Sequence, residues 1–424
     1  MRVVNLIQQL RKRKLISHVT DEDKLEQVIK HRSIVLYCGF DPTEESLHVG
    51  HLLPLITLKR FQILGHKPIV LIGGATSLIG DPSFKEQERV FHCSKNVDLW
   101  TNKINKQIAC FLNFHCGKNS ALILNNKTWF NSINILSFLR DVGKHFSINT
   151  MINRSSVKQR INRPDRGISF TEFSYSLLQA YDFLFLNKMY KVCLQIGGSD
   201  QWGNISSGMH LIYKKTKKKV YGLTIPLLMQ SNGIKFGKTE TGTIWLDANK
   251  TSPYKFYQFW MNIDDIYVYH FLRLFTFESE LNIQQKEDKK YDFKQIICDK
   301  SFLAKEMTCL VHGKKQFLSA ERITRFLFYQ NVNNITKSDF EQLEQDGIPS
   351  VKIDNIRDLQ AALVLTHLSN SRTQAKNMIN SHAISINSKK VSHNHIFKNH
   401  DKLFGKFTLL SRGKKHHSLL CWKV

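Results

Sequence analysis

The sequence predicts an α/β fold: a doubly wound, Rossmann-like parallel sheet in the amino-terminal half, followed by an α-helical region and a small α+β unit. Three observations predict it. From about Ser33, short runs rich in Val, Ile and Leu alternate with longer amphipathic ones, as sequential β/α units require. The strand-like runs are apolar almost throughout, the mark of a parallel sheet covered on both faces. Three of them end in glycine, in CGF, IGG and IGG, and a sheet of this kind binds ligands beyond the carboxyl ends of its strands.

The amino-terminal stretch MRVVNLIQQLRKRKLI is basic and amphipathic enough to raise an organelle transit peptide. It lacks Ser richness and soon meets TDEDKLEQVI, so an ordinary structural helix is expected, with Thr20 capping the next helix and acidic residues in its first turn. SIVLYCGF, KPIVLIGG, ALILNN, KVCLQIGG and YGLTIPLLM read as strands, and HLLPLITLKRFQILG, VDLWTNKINKQIACFLNF and DQWGNISSGMHLIY as helices between them. After Leu228 the pattern changes. An Asn232-Gly233 turn leads into GIKFGKT, and a helix starts at Ser252-Pro253, where Ser caps and Pro takes the first turn. Helical periodicity runs to about Tyr329, with QQKEDKKYDF read as an exposed loop inside it. From about Asn355 a smaller unit begins: DLQAALVLTHL and SRTQAKNMINS as helices, then AISIN, SKKV and KFTLLSRGKKHHSLLCWKV as strands. Three domains are expected, at 1–228, 229–350 and 351–424.

Composition narrows the partners. The chain has 424 residues and a formal net charge of +26, which makes a polyanion the expected partner. Residues 351–424 hold 13 Lys and Arg against three Asp and no Glu, so the tail is the best candidate for contact with nucleic acid. No apolar run approaches the ~18 residues of a membrane span. The eight cysteines are scattered without a CxxC pair and read as reduced thiols in a cytoplasmic protein.

Three clusters carry chemistry. In YCGFDPTEESLHVGH, Gly39 permits backbone approach to a ligand, Asp41-Pro42-Thr43 turns the chain, and His48 and His51 stand at the start of a helix. Two imidazoles beside free N–H groups and a positive dipole end suit phosphate oxygens. As zinc ligands they lack a third and fourth partner at recognisable spacing, and no metal site is expected. In EFSYSLLQAYDFLFL, Tyr175, Gln179 and Asp182 share one helix face among apolar residues; such a polar stripe needs a structural network or a polar ligand against it. Asp200 and Gln201, in GGSDQWGN, face the same crevice, which favours the ligand. GIKFGKT ends as a P-loop does but has three residues between its glycines where a P-loop has four, and no helix pattern follows. It is either a basic hairpin or a flexible loop that closes Lys235 and Lys238 on a phosphate bound elsewhere.

Together these segments resemble the class I aminoacyl-tRNA synthetases, and the bacterial-type tyrosyl-tRNA synthetase family in particular. HVGH stands in place of the class's HIGH signature and KFGKT in place of KMSKS, and YCGFDPT, GGATSLIGDPS, ISFTEFSYSLLQAYDF and LQIGGSDQWGN match the family almost in full. SRTQAKNMINSHAISINSKKV resembles a small-ribosomal-protein type of RNA-binding module. The resemblance implies that Tyr37 and Asp182 bond the substrate phenol, with Asp81, Tyr175, Gln179 and Gln195 completing the tyrosine site. Gly39, Asp41, Gly50, Gly198, Asp200 and Gln201 would line ATP, and Thr43, His48, His51, Lys235, Lys238 and Thr239 would meet its phosphates. Lys127-Thr128 separates Asn126 from Trp129 where the family carries a Tyr-Asp pair. The implied domains are catalytic with a dimer-forming insertion around 130–190, anticodon-binding, and RNA-binding through Arg372, Lys376, Lys389 and Lys390.

The implied reaction activates L-tyrosine with ATP and Mg2+ to tyrosyl-adenylate, then charges tRNA(Tyr); a homodimer is implied as well. No side-chain nucleophile is needed, because the substrate carboxylate is already charged. Two rival readings remain at this point: a tryptophanyl-tRNA synthetase, and a non-catalytic synthetase-derived RNA-binding or splicing factor. The first normally lacks a basic carboxyl-terminal module; the second predicts eroded signatures.

Overall fold

Continuous apolar runs make the strands. Leu36, Ile69, Val70, Ile72, Leu194, Ile196 and Leu223 are almost wholly buried, as a sheet covered on both faces demands. In the computed structural model, which describes residues 5–83, 92–161, 167–229, 236–239, 242–290, 292–329, 335–356, 358–413 and 415–423, the chain divides into two units. One is Met1–Leu246 with Tyr269–Asp288; the other is Asp247–Val268 with Lys289–Val424.

The first unit holds a six-stranded sheet of β1 (His18–Val19), β2 (Val35–Phe40), β3 (Lys67–Ile72), β4 (Leu122–Asn125), β5 (Val192–Gly198) and β6 (Tyr221–Ile225), in the order β1-β6-β5-β2-β3-β4. All pairs from β6 to β4 are parallel. The chain steps outward from β2 to β3 and β4, then crosses to the other side for β5 and β6, so the topological switch lies between β2 and β5. Tyr37 on β2 pairs in register with Gln195 on β5 across that switch.

Two expectations change here. The sheet gains an antiparallel edge, β1, too short for any period to announce. Thr20 does not cap the following helix: its hydroxyl accepts from Gly222 N at 2.9 Å, tying the amino-terminal segment to β6, and Asp21 takes the cap position of Glu22–His31. The amino-terminal helix Leu6–Lys12 buries Leu6, Ile7 and Leu10.

Helix Phe170–Tyr190 is capped by Ser169, which accepts from Glu172 N, and ends where Lys191 turns left-handed. Its apolar flanks, Leu177, Ala180, Phe183 and Leu184, enter a core with Tyr37, Ile69 and Leu71. That packing aims the polar stripe at the strand ends. QQKEDKKYDF is not all loop: Ser279 caps a helix, Glu280–Glu287, and the Arg273 guanidinium bonds both Glu280 and Glu287 at 2.6 Å. The strands β7 (Lys238–Thr239) and β8 (Gly242–Thr243) form a two-stranded antiparallel ladder.

In the second unit, Ser252 caps Pro253–Met261 as its sequence predicts, accepting from Lys255 N at 3.1 Å. The long Phe293–Tyr329 segment is two helices joined at Gly313, whose φ of 83° few other residues adopt. A second sheet contains β9 (Ser350–Ile353), β10 (Ile384–Ile386), β11 (Lys389–Lys390), β12 (Phe407–Arg412) and β13 (His416–Trp422), in the order β11-β10-β12-β13-β9. Helices Leu359–Leu365 and Arg372–Asn380 pack Leu363, Ala375 and Ile379 against its Ile384, Leu410 and Leu420. β9 pairs parallel to β13, a pairing of distant segments that local pattern does not show. Among the described residues, no helix is long and apolar enough to cross a membrane.

Candidate active site

The switch between β2 and β5 brings one end of the helix stripe to the strand ends. Asp182 is 2% exposed, and both its oxygens are held: Trp129 Nε1 donates to Oδ1 at 2.8 Å and Asn126 Nδ2 to Oδ2 at 3.0 Å. Burial pushes its carboxyl up to about 8, against the opposing pull of the Asn126 and Trp129 bonds. Tyr37 is buried beside it, and burial, with the Asp182 charge second, holds its phenol proton well above the ordinary range. The Tyr37 hydroxyl and the side-chain oxygens of Gln195 and Gln179 are buried and make no hydrogen bond to the chain. Such atoms are costly unless something polar meets them.

Next to them, Tyr175 OH donates to Asp41 Oδ2 at 2.7 Å, and Thr76 Oγ1 donates to Asp41 Oδ1 at 2.8 Å. Asn126 Nδ2, 3.0 Å from Thr76 Oγ1, joins this group to Asp182. Gln201 Nε2 donates to Asp81 Oδ2 at 2.6 Å. A cavity of about 360 Å³ opens alongside, lined in part by Arg154, Glu172, Ser176, Asp200, Trp202 and Asn204, a volume suited to a small molecule. Gly39 is exposed, and a Cβ there would meet nothing within 4 Å, so backbone is open to a ligand. A Cβ at Gly198 would fall 2.4 Å from Asp200 Oδ1.

The two histidines of HVGH are held by backbone N–H groups. His48 Nδ1 accepts from Gly50 N at 3.1 Å, and His51 Nδ1 accepts from His48 N at 3.1 Å. Each ring is thereby fixed as the tautomer that carries its proton on Nε2. The rings lie 4.0 Å apart, and burial, with His48 second, holds His51 well below the ordinary imidazole value. His51 is a neutral donor. The hairpin backbone docks on this segment: Val49 N donates to Ile244 O at 3.0 Å, Ile244 N to Gly237 O at 2.9 Å, and Leu246 N to Leu47 O at 2.8 Å.

The chain is similar to known proteins along almost its whole length. A family model described as tRNA synthetases class I (W and Y) matches residues 29–329, and one for a tyrosine–tRNA ligase SYY-like C-terminal domain matches 339–420. A tyrosine–tRNA ligase of Buchnera aphidicola subsp. Acyrthosiphon pisum is 71% identical over 418 residues, covering 99% of each chain. The chain belongs to the tyrosine–tRNA ligase family. The tyrosine–tRNA ligase of Pectobacterium atrosepticum is 55% identical over 421 residues, covering 99% of each chain. Among solved structures, a C-terminally truncated mitochondrial tyrosyl-tRNA synthetase of Aspergillus nidulans superposes with a TM-score of 0.69 at 32% identity, covering 76% of this chain and 94% of that one. A tryptophanyl-tRNA synthetase of Plasmodium falciparum, at 16% identity and a TM-score of 0.52 over 79% of this chain and 87% of that one, shares the fold.

In this tyrosine–tRNA ligase the fold draws Tyr37, Gly39, Asp41, His48, Gly50, His51, Asp81, Tyr175, Gln179, Asp182, Gln195, Gly198, Asp200 and Gln201 into one unit. Thr43 N closes the turn on Asp41 O at 2.9 Å. Lys235 lies outside the described residues; of Lys238 and Thr239 the backbone is described, in β7. In the second unit, Lys376 is exposed, and Lys389 and Lys390 are exposed on β11. Arg372 is also exposed but forms a two-pronged pair with Asp358, at 2.9 and 3.0 Å. Sequence reasoning missed Trp129 and Thr76. A tryptophan amid polar residues and a threonine in GGATS give no signal until folding aims them.

Proposed function

We propose that the polar pocket at the β2–β5 switch is where this tyrosine–tRNA ligase binds and activates its amino acid, with the phenol read by Tyr37 and Asp182. The buried, unpartnered oxygens of Tyr37, Gln179 and Gln195 carry this reading, since a tyrosine molecule offers a hydroxyl and an ammonium to satisfy them. Asp81, Tyr175 and Gln179 take the α-ammonium group. Gly39, Asp41, Gly50, Gly198, Asp200 and Gln201 line the nucleotide, and Thr43, His48, His51, Lys235, Lys238 and Thr239 meet its phosphates.

The tyrosine carboxylate oxygen attacks the α-phosphorus of ATP; the bond to the bridging oxygen breaks and pyrophosphate leaves with the electron pair. The neutral Nε2–H donors of His48 and His51 bond phosphate oxygens as charge moves onto the leaving group, and donors already aimed there need little reorganisation. Contacts that tighten at that moment raise the rate without deepening the ground state. A terminal ribose hydroxyl of the tRNA, approaching through the cavity beside Asp200, then attacks the carbonyl and releases AMP.

Among the described residues no group of three or more His, Cys, Asp or Glu converges as a metal cage. Mg2+, which prefers phosphate oxygens and water, fits as a companion of ATP and would neutralise phosphate charge there. The basic carboxyl-terminal unit, with Lys376, Lys389, Lys390 and Arg372, contacts tRNA backbone. Residues 130–190 expose Ile135, Leu136, Leu139, Ile148 and Phe170, an apolar surface that fits a homodimer. All eight cysteines are free thiols, in keeping with a cytoplasmic protein.

Tyrosine-dependent ATP–pyrophosphate exchange, with tryptophan as control, tests the proposal. Exchange with tyrosine alone is expected; equal exchange with tryptophan would refute the phenol-reading pocket.

A further inference from the structure

Helix Val268–Phe275 takes no part in the chemistry above, yet it meets KFGKT and the helix that follows HVGH. Phe236, the residue before Gly237, is buried against two of its rings: the centroids are 4.7 Å from Phe271, at 62°, and 6.0 Å from Phe275, at 30°. Phe271 and Phe275 are themselves buried and meet edge to face at 5.8 Å. One residue on, Gly237 has a φ of 87° and lies so near Val49 that a Cβ would come 2.4 Å from Val49 Cγ1. Phe236 N also donates to Leu228 O at 2.9 Å. The chain is thus clamped on both sides immediately before it enters β7 at Lys238.

The helix that follows the other signature holds the same segment. Arg60 belongs to helix Leu52–Ile63, which starts directly after His51. Its Nη2 donates to Leu274 O at 3.4 Å and to Thr276 O, while Arg13 Nη1 donates to Arg273 O at 3.0 Å and Thr276 O at 3.3 Å. Arg273 O and Leu274 O are among the carbonyls a helix end leaves without partners, and Thr276 O follows directly, where the helix dipole is negative and favours cations. Two guanidiniums buried together carry a cost: burial, with the Arg13 charge second, lowers Arg60 to about 9. What they secure is the position of this helix end relative to the helix that follows HVGH.

We infer that Phe271 and Phe275 are positioning residues for adenylation: they seat Phe236, and through it set the place of Lys238 relative to His48 and His51, with Arg13 and Arg60 fastening the seat. This role rests on Lys238 acting on phosphate as proposed above. Placement matters because stabilising charge at a transition state becomes ineffective steeply with distance, and a shift of about 1 Å from a remote change can cost roughly 10²-fold.

Single-turnover adenylate formation at saturating tyrosine and ATP tests it in Phe271→Leu, Phe271→Ala, Lys238→Ala and the Phe271→Ala/Lys238→Ala double variant, with tyrosine affinity measured by equilibrium dialysis. Phe271→Ala should slow adenylation roughly 10- to 100-fold at unchanged tyrosine affinity, and Phe271→Leu should recover most of the rate. The double variant should be no slower than Lys238→Ala, because a missing lysine cannot be misplaced. Wild-type adenylation in Phe271→Ala overturns the role, as does a loss of tyrosine affinity alongside the rate. Multiplying effects in the double variant sink it while leaving Lys238 its phosphate. A wild-type rate in Lys238→Ala removes both.

Discussion

The indole N–H of Trp129 donates to Asp182 Oδ1 at 2.8 Å. With Asn126 on Oδ2, each oxygen of this buried carboxylate is held before a substrate hydroxyl arrives. The carboxylate is therefore aimed in advance, and its orientation depends on a residue that need not touch substrate.

Removing that donor should weaken discrimination rather than fold. Trp129→Phe keeps the ring stacked on Phe185, 4.3 Å away, but leaves the buried Asp182 Oδ1 without its donor. Leaving a buried acceptor unmet costs ~1–3 kcal/mol, so the tyrosine-over-phenylalanine ratio of kcat/KM should fall roughly 5- to 100-fold. An unchanged ratio would show that Asp182 needs no such support.

Asp182 also sets a pH dependence of stability. Its carboxyl titrates near 8 when folded and at the ordinary 3.8 when the chain is unfolded. Between those values the folded chain holds a proton that the unfolded chain has released, so its stability falls as pH rises and levels off above about 8. Asp182→Asn carries no such proton. The Tm of the unliganded variant, relative to wild type, should therefore shift in the variant's favour from about pH 5 to about pH 8. A constant difference across that range would contradict the buried, proton-holding carboxyl.

The histidines should act as neutral donors. His51→Gln can present an N–H near the Nε2 position, whereas His51→Ala presents none, so adenylation should be faster in His51→Gln than in His51→Ala, which should lose roughly 10²–10³-fold. Because His51 stays neutral well below its usual pKa, its contribution should be flat between about pH 6 and 8. Equal rates in the two variants would point to packing as its role.

Much of this was legible in the chain. Strand runs with glycine at their ends announced the parallel sheet and the ligand-binding edge, because a doubly covered sheet admits few polar residues. Tyr175, Gln179 and Asp182 were legible as a stripe because helical spacing puts them on one face. What was not legible depends on the meeting of distant segments. Thr20 reads as a cap until Gly222 claims its hydroxyl, and Ser350–Ile353 reads as a strand only once β13 lies beside it. GIKFGKT reads as a basic hairpin or a flexible loop, and neither reading shows that Phe236 and Gly237 are seated on Phe271 and Val49.

The carboxyl-terminal unit should bind tRNA electrostatically. Lys389→Glu with Lys390→Glu, both on the exposed edge strand β11, should raise the KM for tRNA. The slope of log KM against log salt should fall by about one for each tRNA phosphate that the variant no longer neutralises. Pyrophosphate exchange should not change. An unaffected tRNA KM would mark these lysines as a solvated face. Reversing charge is a cleaner test than deletion, because residues beyond 355 support the rest of their unit: Phe407 stacks on the buried Phe340 at 5.4 Å, and Lys406 pairs with Glu344 at 2.7 Å.

The central claim is that Asp182 reads the substrate phenol, and kcat/KM for pyrophosphate exchange with tyrosine and with phenylalanine tests it most directly. The wild-type enzyme should favour tyrosine by about 10⁴–10⁵, a magnitude for which tyrosyl-tRNA synthetases are themselves the standard example. In Asp182→Ala that preference should collapse; a variant that still discriminates as strongly as wild type would contradict the assignment.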